Sequence, residues 1–134
     1  MAKAVLPQAK PRRPTNAELR ILRVLWQRGP STVRRVREAL HQAKPVGYTT
    51  VLKLLQIMTE KNLVGRDASA RSHVYAAKTS EDATRRRMVG DLAKRAFGGS
   101  TFRLVLHALA ATPASGAELD QIRTLLDERR KGER

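Results

Sequence analysis

Thr49, Lys53, Gln56 and Glu60 follow one another at i, i+4, i+7 and i+11 within "GYTTVLKLLQIMTEKNLV". That spacing lines them along one side of a helix. A hydroxyl, an ammonium and an amide in a row are the groups that hydrogen-bond base edges in a DNA major groove. Thr meets either an edge or the thymine methyl, Lys donates to guanine, and Gln pairs with adenine. Tyr48, Thr49 and Thr50 stand at the predicted start of this helix, where backbone N–H groups face outward and suit a phosphate. Taken alone, such a stripe is more often a merely solvated face. Its neighbours in the sequence decide between the two.

The other side of the same stretch carries Val51, Leu54, Leu55 and Met58 at i, i+3, i+4 and i+7, a core-facing pattern. Upstream, Thr15 and Glu18 form a predicted capping box opening "TNAELRILRVLWQRG", with Leu19, Leu22, Leu25 and Trp26 on one face and Gly29-Pro30 as its stop. Ser31 is expected to cap a second helix, "TVRRVREALHQ", with Val33, Val36 and Leu40 inward. The loop "AKPVG" separates it from the third helix, read from about residue 49 to 61. Asn62 stands where a left-handed residue would close that helix. Residues 63–77 then read as a short hairpin, with "DASAR" as its turn. Helix, helix, helix, hairpin is the order of a winged helix-turn-helix, in which the second helix braces a third that enters the major groove.

Charge points the same way. The chain has 134 residues, 27 basic and 12 acidic, for a net charge of +15 and a pI near 11.5. Residues 1–80 hold 16 basic and 4 acidic residues, and residues 81–134 hold 11 and 8. A polyanionic partner therefore belongs to the first part. Arg34, Arg35, Arg66, Arg71 and Ser72 are candidate backbone contacts, as are Arg12 and Arg13 of a Pro-rich arm read as disordered over residues 1–14. His73 reads as a strand residue rather than a metal ligand, and Arg85–Arg87 as a solvated helix face.

A division near residue 79 separates a DNA-binding domain (15–78) from a helical region (79–134). Three helices are expected there, opening at Ser80, around "STFRLVLHALAA", and at a Ser115/Glu118 capping box. Phe102, Val105, Leu106 and Leu109 form one apolar face, and Leu119, Ile122, Leu125 and Leu126 another. Both should bury against a second copy of the chain, making a homodimer. The alternative is that they fold back on the first domain.

Other classes find little support. There is no cysteine, hence no disulfide or thiolate metal site. His41, His73 and His107 are scattered, and Gly98-Gly99 reads as a helix break rather than a phosphate loop. No catalytic constellation, cofactor, metal or small-molecule substrate is expected. The N-terminal stretch lacks a long apolar segment, so a cytoplasmic location is expected. A non-specific architectural nucleic-acid binder, acting through charge alone, remains the alternative function.

At these residues the sequence resembles the BlaI/MecI/CopY family of bacterial transcriptional repressors, also called penicillinase repressors. "AELRILRVLWQRGPSTVRRVREAL" is similar to that family's opening helices, with Glu18 and Trp26 at its usual acidic and tryptophan positions. "GYTTVLKLLQIMTEKNLV" is similar to its recognition helix and "RSHVYAA" to its wing. "FGGSTFRLVLHAL" and "ELDQIRTLL" resemble its dimerisation region. Thr50 matches the first of two threonines in the family pattern, while Lys53 stands at the second, Ile57 in place of a frequent Arg and Asn62 in place of a frequent Gly. The resemblance implies a homodimer on a palindromic double-stranded DNA operator. Members that answer β-lactams are cut in the dimerisation region by a membrane-bound sensor protease, often between Asn and Phe. Here Thr101 precedes Phe102, which makes that bond the candidate cleavage site. The copper-responsive branch carries cysteines that this chain lacks.

Overall fold

The computed structural model describes residues 11–69 and 71–133. Six helices and one small sheet follow in order among them: α1 (Asn16–Arg28), β1 (Ser31–Thr32), α2 (Val33–His41), α3 (Tyr48–Glu60), β2 (Val64–Asp67), β3 (Val74–Ala77), α4 (Glu81–Ala96), α5 (Thr101–Ala111) and α6 (Gly116–Gly132). The chain is mainly α-helical with an antiparallel β-hairpin, as a winged helix-turn-helix domain with a helical C-terminal region requires. It divides into two compact units between Met88 and Val89, inside α4.

In the first unit α1, α2 and α3 pack on one another and on the sheet. Ile21, Leu22, Val36, Val51, Leu55 and Met58 are fully buried, and Tyr75 and Val64 close the core from the strands. Leu19 and Trp26, expected inside, are half-buried at its margin; Ile21 and Val24 take the deeper places. The Trp26 indole N–H donates to the Thr79 carbonyl at 2.9 Å, tying the end of α1 to the second residue after the hairpin. Among the core side chains, Leu55→Ala removes a branched group with no exposure at all. Such a cavity costs about 2–5 kcal/mol of stability.

Two expectations need correction. Ser31 does not cap α2. It pairs with Tyr75 across an antiparallel ladder, and Thr32 with Val74, so the sheet has three strands in the order β1-β3-β2. The cap moves one residue on: Thr32 Oγ1 accepts from the Arg35 N–H at 3.2 Å. The arm expected over residues 1–14 is anchored at its last residues. The Arg12 N–H donates to the Lys61 carbonyl at 3.1 Å, and the Pro11 carbonyl accepts from the Arg87 guanidinium at 3.0 Å. The rest of that arm, residues 1–10, lies outside the described residues.

Local signals fixed the helix ends. The Thr15/Glu18 capping box is formed in both directions, as is the Ser115/Glu118 box. Asn62 has φ of 65°, the left-handed turn expected of it after α3, and its side-chain oxygen accepts from Lys78 Nζ at 2.7 Å.

The second unit holds the end of α4 with α5 and α6. Gly98 and Gly99 turn the chain between α4 and α5 with φ of 58° and 80°, a region that a side chain would disfavour. Ser100 caps α5 through the Arg103 N–H. The Phe97 ring lies 5.3 Å from that of His107. Neither α5 nor α6 contains a buried residue.

Candidate nucleic-acid interface

Helix α3 separates its two faces cleanly. Val51, Leu55 and Met58 have no exposure, while Thr49, Thr50, Lys53, Gln56 and Glu60 are all exposed. Tyr48 is half-exposed at the start of the helix. The stripe inferred from spacing is therefore a continuous polar surface on the outer side of the helix. Leu54, expected in the core, packs at its edge.

The elements that pack on α3 carry basic groups. Helix α2 packs on α3 and carries Arg34 and Arg35, both exposed. Arg34 sits 3.7 Å from Glu38, a pair so open to solvent that it contributes little to stability. Strand β2 packs on the same helix. Arg66 on β2 is paired with Tyr75 and lies two residues from Val64, so it shares their helix-facing side of the sheet while remaining exposed. Gly65 and Asp67 lie on the outer side. Hydrogen bonds from the Ser69 hydroxyl and amide hold the Asp67 carboxyl below the usual carboxylate range, so the wing's one acidic group is engaged in its turn. Arg71 and Ser72 are exposed in that turn, and Arg12 and Arg13 are exposed at the root of the arm. The predicted apolar faces of α5 and α6 belong to the other unit.

The Arg85–Arg87 run is largely satisfied within the protein. Arg85 pairs with Glu81 at 2.8 Å and Arg86 with Asp82 at 3.0 Å, each one helical turn back, and Arg87 holds the Pro11 carbonyl. Sequence reasoning missed two features around α3. Lys61, just past its end, forms a buried ion pair with Glu18 of α1. Val46, just before its start, is hydrogen-bonded to α2 through both of its backbone groups. Neither has a local sequence signal.

A family model described as "Penicillinase repressor" matches residues 14–128, nearly the whole chain. The chain belongs to the penicillinase repressor family. The transcriptional regulator BlaI of Mycobacterium tuberculosis, in strains CDC 1551 / Oshkosh and H37Rv, is 35% identical over 126 residues, covering 92% of this chain and 90% of the relative. Penicillinase repressors are transcriptional repressors and not enzymes. Among the described residues no helix is long and apolar enough to cross a membrane.

Proposed function

We propose that this protein is a dimeric, sequence-specific repressor that occludes promoters at palindromic operators. The observation that carries this reading is the exposed Thr49, Lys53 and Gln56 stripe, on a helix whose other face buries Val51, Leu55 and Met58 and whose neighbours carry arginines. Thr49, Thr50, Lys53 and Gln56 face base edges, with Tyr48 at the rim. Arg34, Arg35, Arg66, Arg71, Ser72, Arg12 and Arg13 meet phosphates and set the register. A dimer built through α5 and α6 presents two such helices to half-sites about 34–36 Å apart. The +12 balance of residues 1–80 supports steep loss of affinity with salt as counterions are released.

The test is fluorescence anisotropy on DNA from upstream of the protein's own gene and on a scrambled duplex, at several salt concentrations. A preference of about 10³ or more for one duplex, or recovery of a palindrome from random DNA, is the expected result. Equal affinity for every sequence would instead favour an architectural binder acting through charge alone. Within the specific reading, Lys53→Ala should cost about 1–3 kcal/mol of discrimination at a single operator position. A panel of base-substituted operators measures this, and unchanged relative affinities across it would contradict the role given to Lys53.

Repression is proposed to end by cleavage of the Thr101-Phe102 bond by a membrane-bound sensor protease. This bond opens α5 just after the Gly98-Gly99 turn, and Phe102 is 73% exposed. The expected product after induction is a chain cut within α5, seen by mass spectrometry. Derepression with the chain intact rules this route out.

A further inference from the structure

Helix α3 begins differently from the other described helices. Hydroxyls of Thr15, Thr32, Ser80, Ser100 and Ser115 cap α1, α2, α4, α5 and α6, each accepting an N–H of the first turn. The residue before α3 is Gly47, and no side chain caps the helix. An uncapped start tends to fray, because its first N–H groups have no partner. A reading helix cannot tolerate fraying there, since Tyr48, Thr49 and Thr50 lie in that turn.

The structure supplies the missing restraint from a neighbouring element. Arg37 and His41 stand one turn apart on α2, so their side chains project from the same face. Arg37 Nε donates to the Val46 carbonyl at 3.0 Å. His41 Nδ1 accepts from the Val46 N–H at 3.2 Å, which requires the neutral tautomer with its proton on Nε2. Both backbone groups of the residue preceding Gly47 are thereby held, and the Val46 side chain packs at the edge of the core. The restraint leaves the first N–H groups of α3 unused by any cap.

We propose that Arg37 and His41 are positioning residues for the reading helix: they brace Val46 and so fix where α3 begins without occupying its N-terminal amides. This rests on the proposal that α3 reads DNA, but the brace itself can be tested without DNA. The atoms involved allow conservative rescue. Gln places Nε2, a donor, where Arg carries Nε, whereas Met places a methyl group there. Asn places Oδ1, an acceptor, where His carries Nδ1, whereas Leu places a methyl group there.

The first readout is amide hydrogen exchange in the free protein, followed at Val46. Arg37→Gln and His41→Asn should keep wild-type exchange at Val46 and at Val51, whose N–H donates to the Gly47 carbonyl. Arg37→Met and His41→Leu should speed it severalfold while thermal unfolding stays close to wild type. The second readout is affinity for a duplex selected from random DNA by the wild-type protein. Arg37→Met should lose about tenfold and Arg37→Gln little, although both remove the same charge; His41→Leu and His41→Asn should divide likewise. Equal losses for Gln and Met at position 37 would assign Arg37 to a phosphate contact and overturn the brace, as would unchanged Val46 exchange in His41→Leu. If the wild-type protein selects no duplex, the DNA-reading proposal fails, and the exchange data still decide the brace.

Discussion

Replacing Glu18 with Ala is expected to lower the unfolding free energy of the first unit by about 3–5 kcal/mol, the usual cost of leaving one member of a buried pair without its partner. The Glu18 side chain is 3% exposed and that of Lys61 14%. One carboxylate oxygen accepts from both the Lys61 ammonium and the Thr15 N–H. Truncation strands a desolvated cation and an unpaired amide together. The effect should not be read as the net worth of the pair. Replacing both partners with apolar residues, Glu18→Leu with Lys61→Met, should recover a large part of the loss, because no charge then needs solvation. Urea unfolding followed through Trp26, the chain's one tryptophan, provides the measurement. A Glu18→Ala loss below about 1 kcal/mol would show that water relieves Lys61 and that the pair is dispensable.

The pair also matters for what α3 presents. Lys61 follows the last residue of the helix, and its carbonyl takes the Arg12 N–H. Glu18 thus fastens the end of α3 to the start of α1, much as Arg37 and His41 fasten its beginning to α2. Helix α3 is held at both ends by side chains from the other two helices of the motif.

Which parts of this were legible in the sequence follows from the range of the interactions. Helix limits and faces were readable because caps and periodicity act within four residues: Thr15 with Glu18, Ser115 with Glu118, and the buried Val51, Leu55 and Met58 against the exposed Lys53 and Gln56. Asn62 was readable because few other residues adopt positive φ. Strand β1 was not, since two residues have no period and Ser31–Thr32 becomes a strand only through pairing with Val74 and Tyr75. Its hydroxyls looked like a cap signal, and the cap fell one residue later than expected. Glu18 was read for its local role in the capping box, which hid its second role toward Lys61, 43 residues away. On α4, Val89 and Leu92 are 51% and 42% exposed and belong to the second unit. The arginine run just before them masks their apolar character in the sequence.

Leu106→Glu is the substitution that should matter most for assembly. On α5, Phe102, Val105, Leu106 and Leu109 are 73%, 43%, 53% and 44% exposed, and on α6 Leu119, Leu125 and Leu126 are 47%, 58% and 56% exposed, with Ile122 half-buried between them. Apolar residues in such density are seldom left to water on a monomer. A carboxylate at Leu106 adds little cost to a single chain, where the site is already wet. Against an apolar partner it would be buried without a hydrogen bond, at a cost of several kcal/mol. Sedimentation should therefore show a wild-type dimer and a Leu106→Glu monomer at micromolar concentration, with the unfolding of the first unit unchanged. Operator affinity should fall by about 10² or more, because the second half-site no longer benefits from being tethered to the first. A duplex carrying one half-site should then bind the variant as well as the whole operator does. If the faces instead fold back on their own chain, Leu106→Glu will lower stability by an amount independent of protein concentration. Concentration dependence of the wild-type melting temperature, present or absent, thus separates the two arrangements.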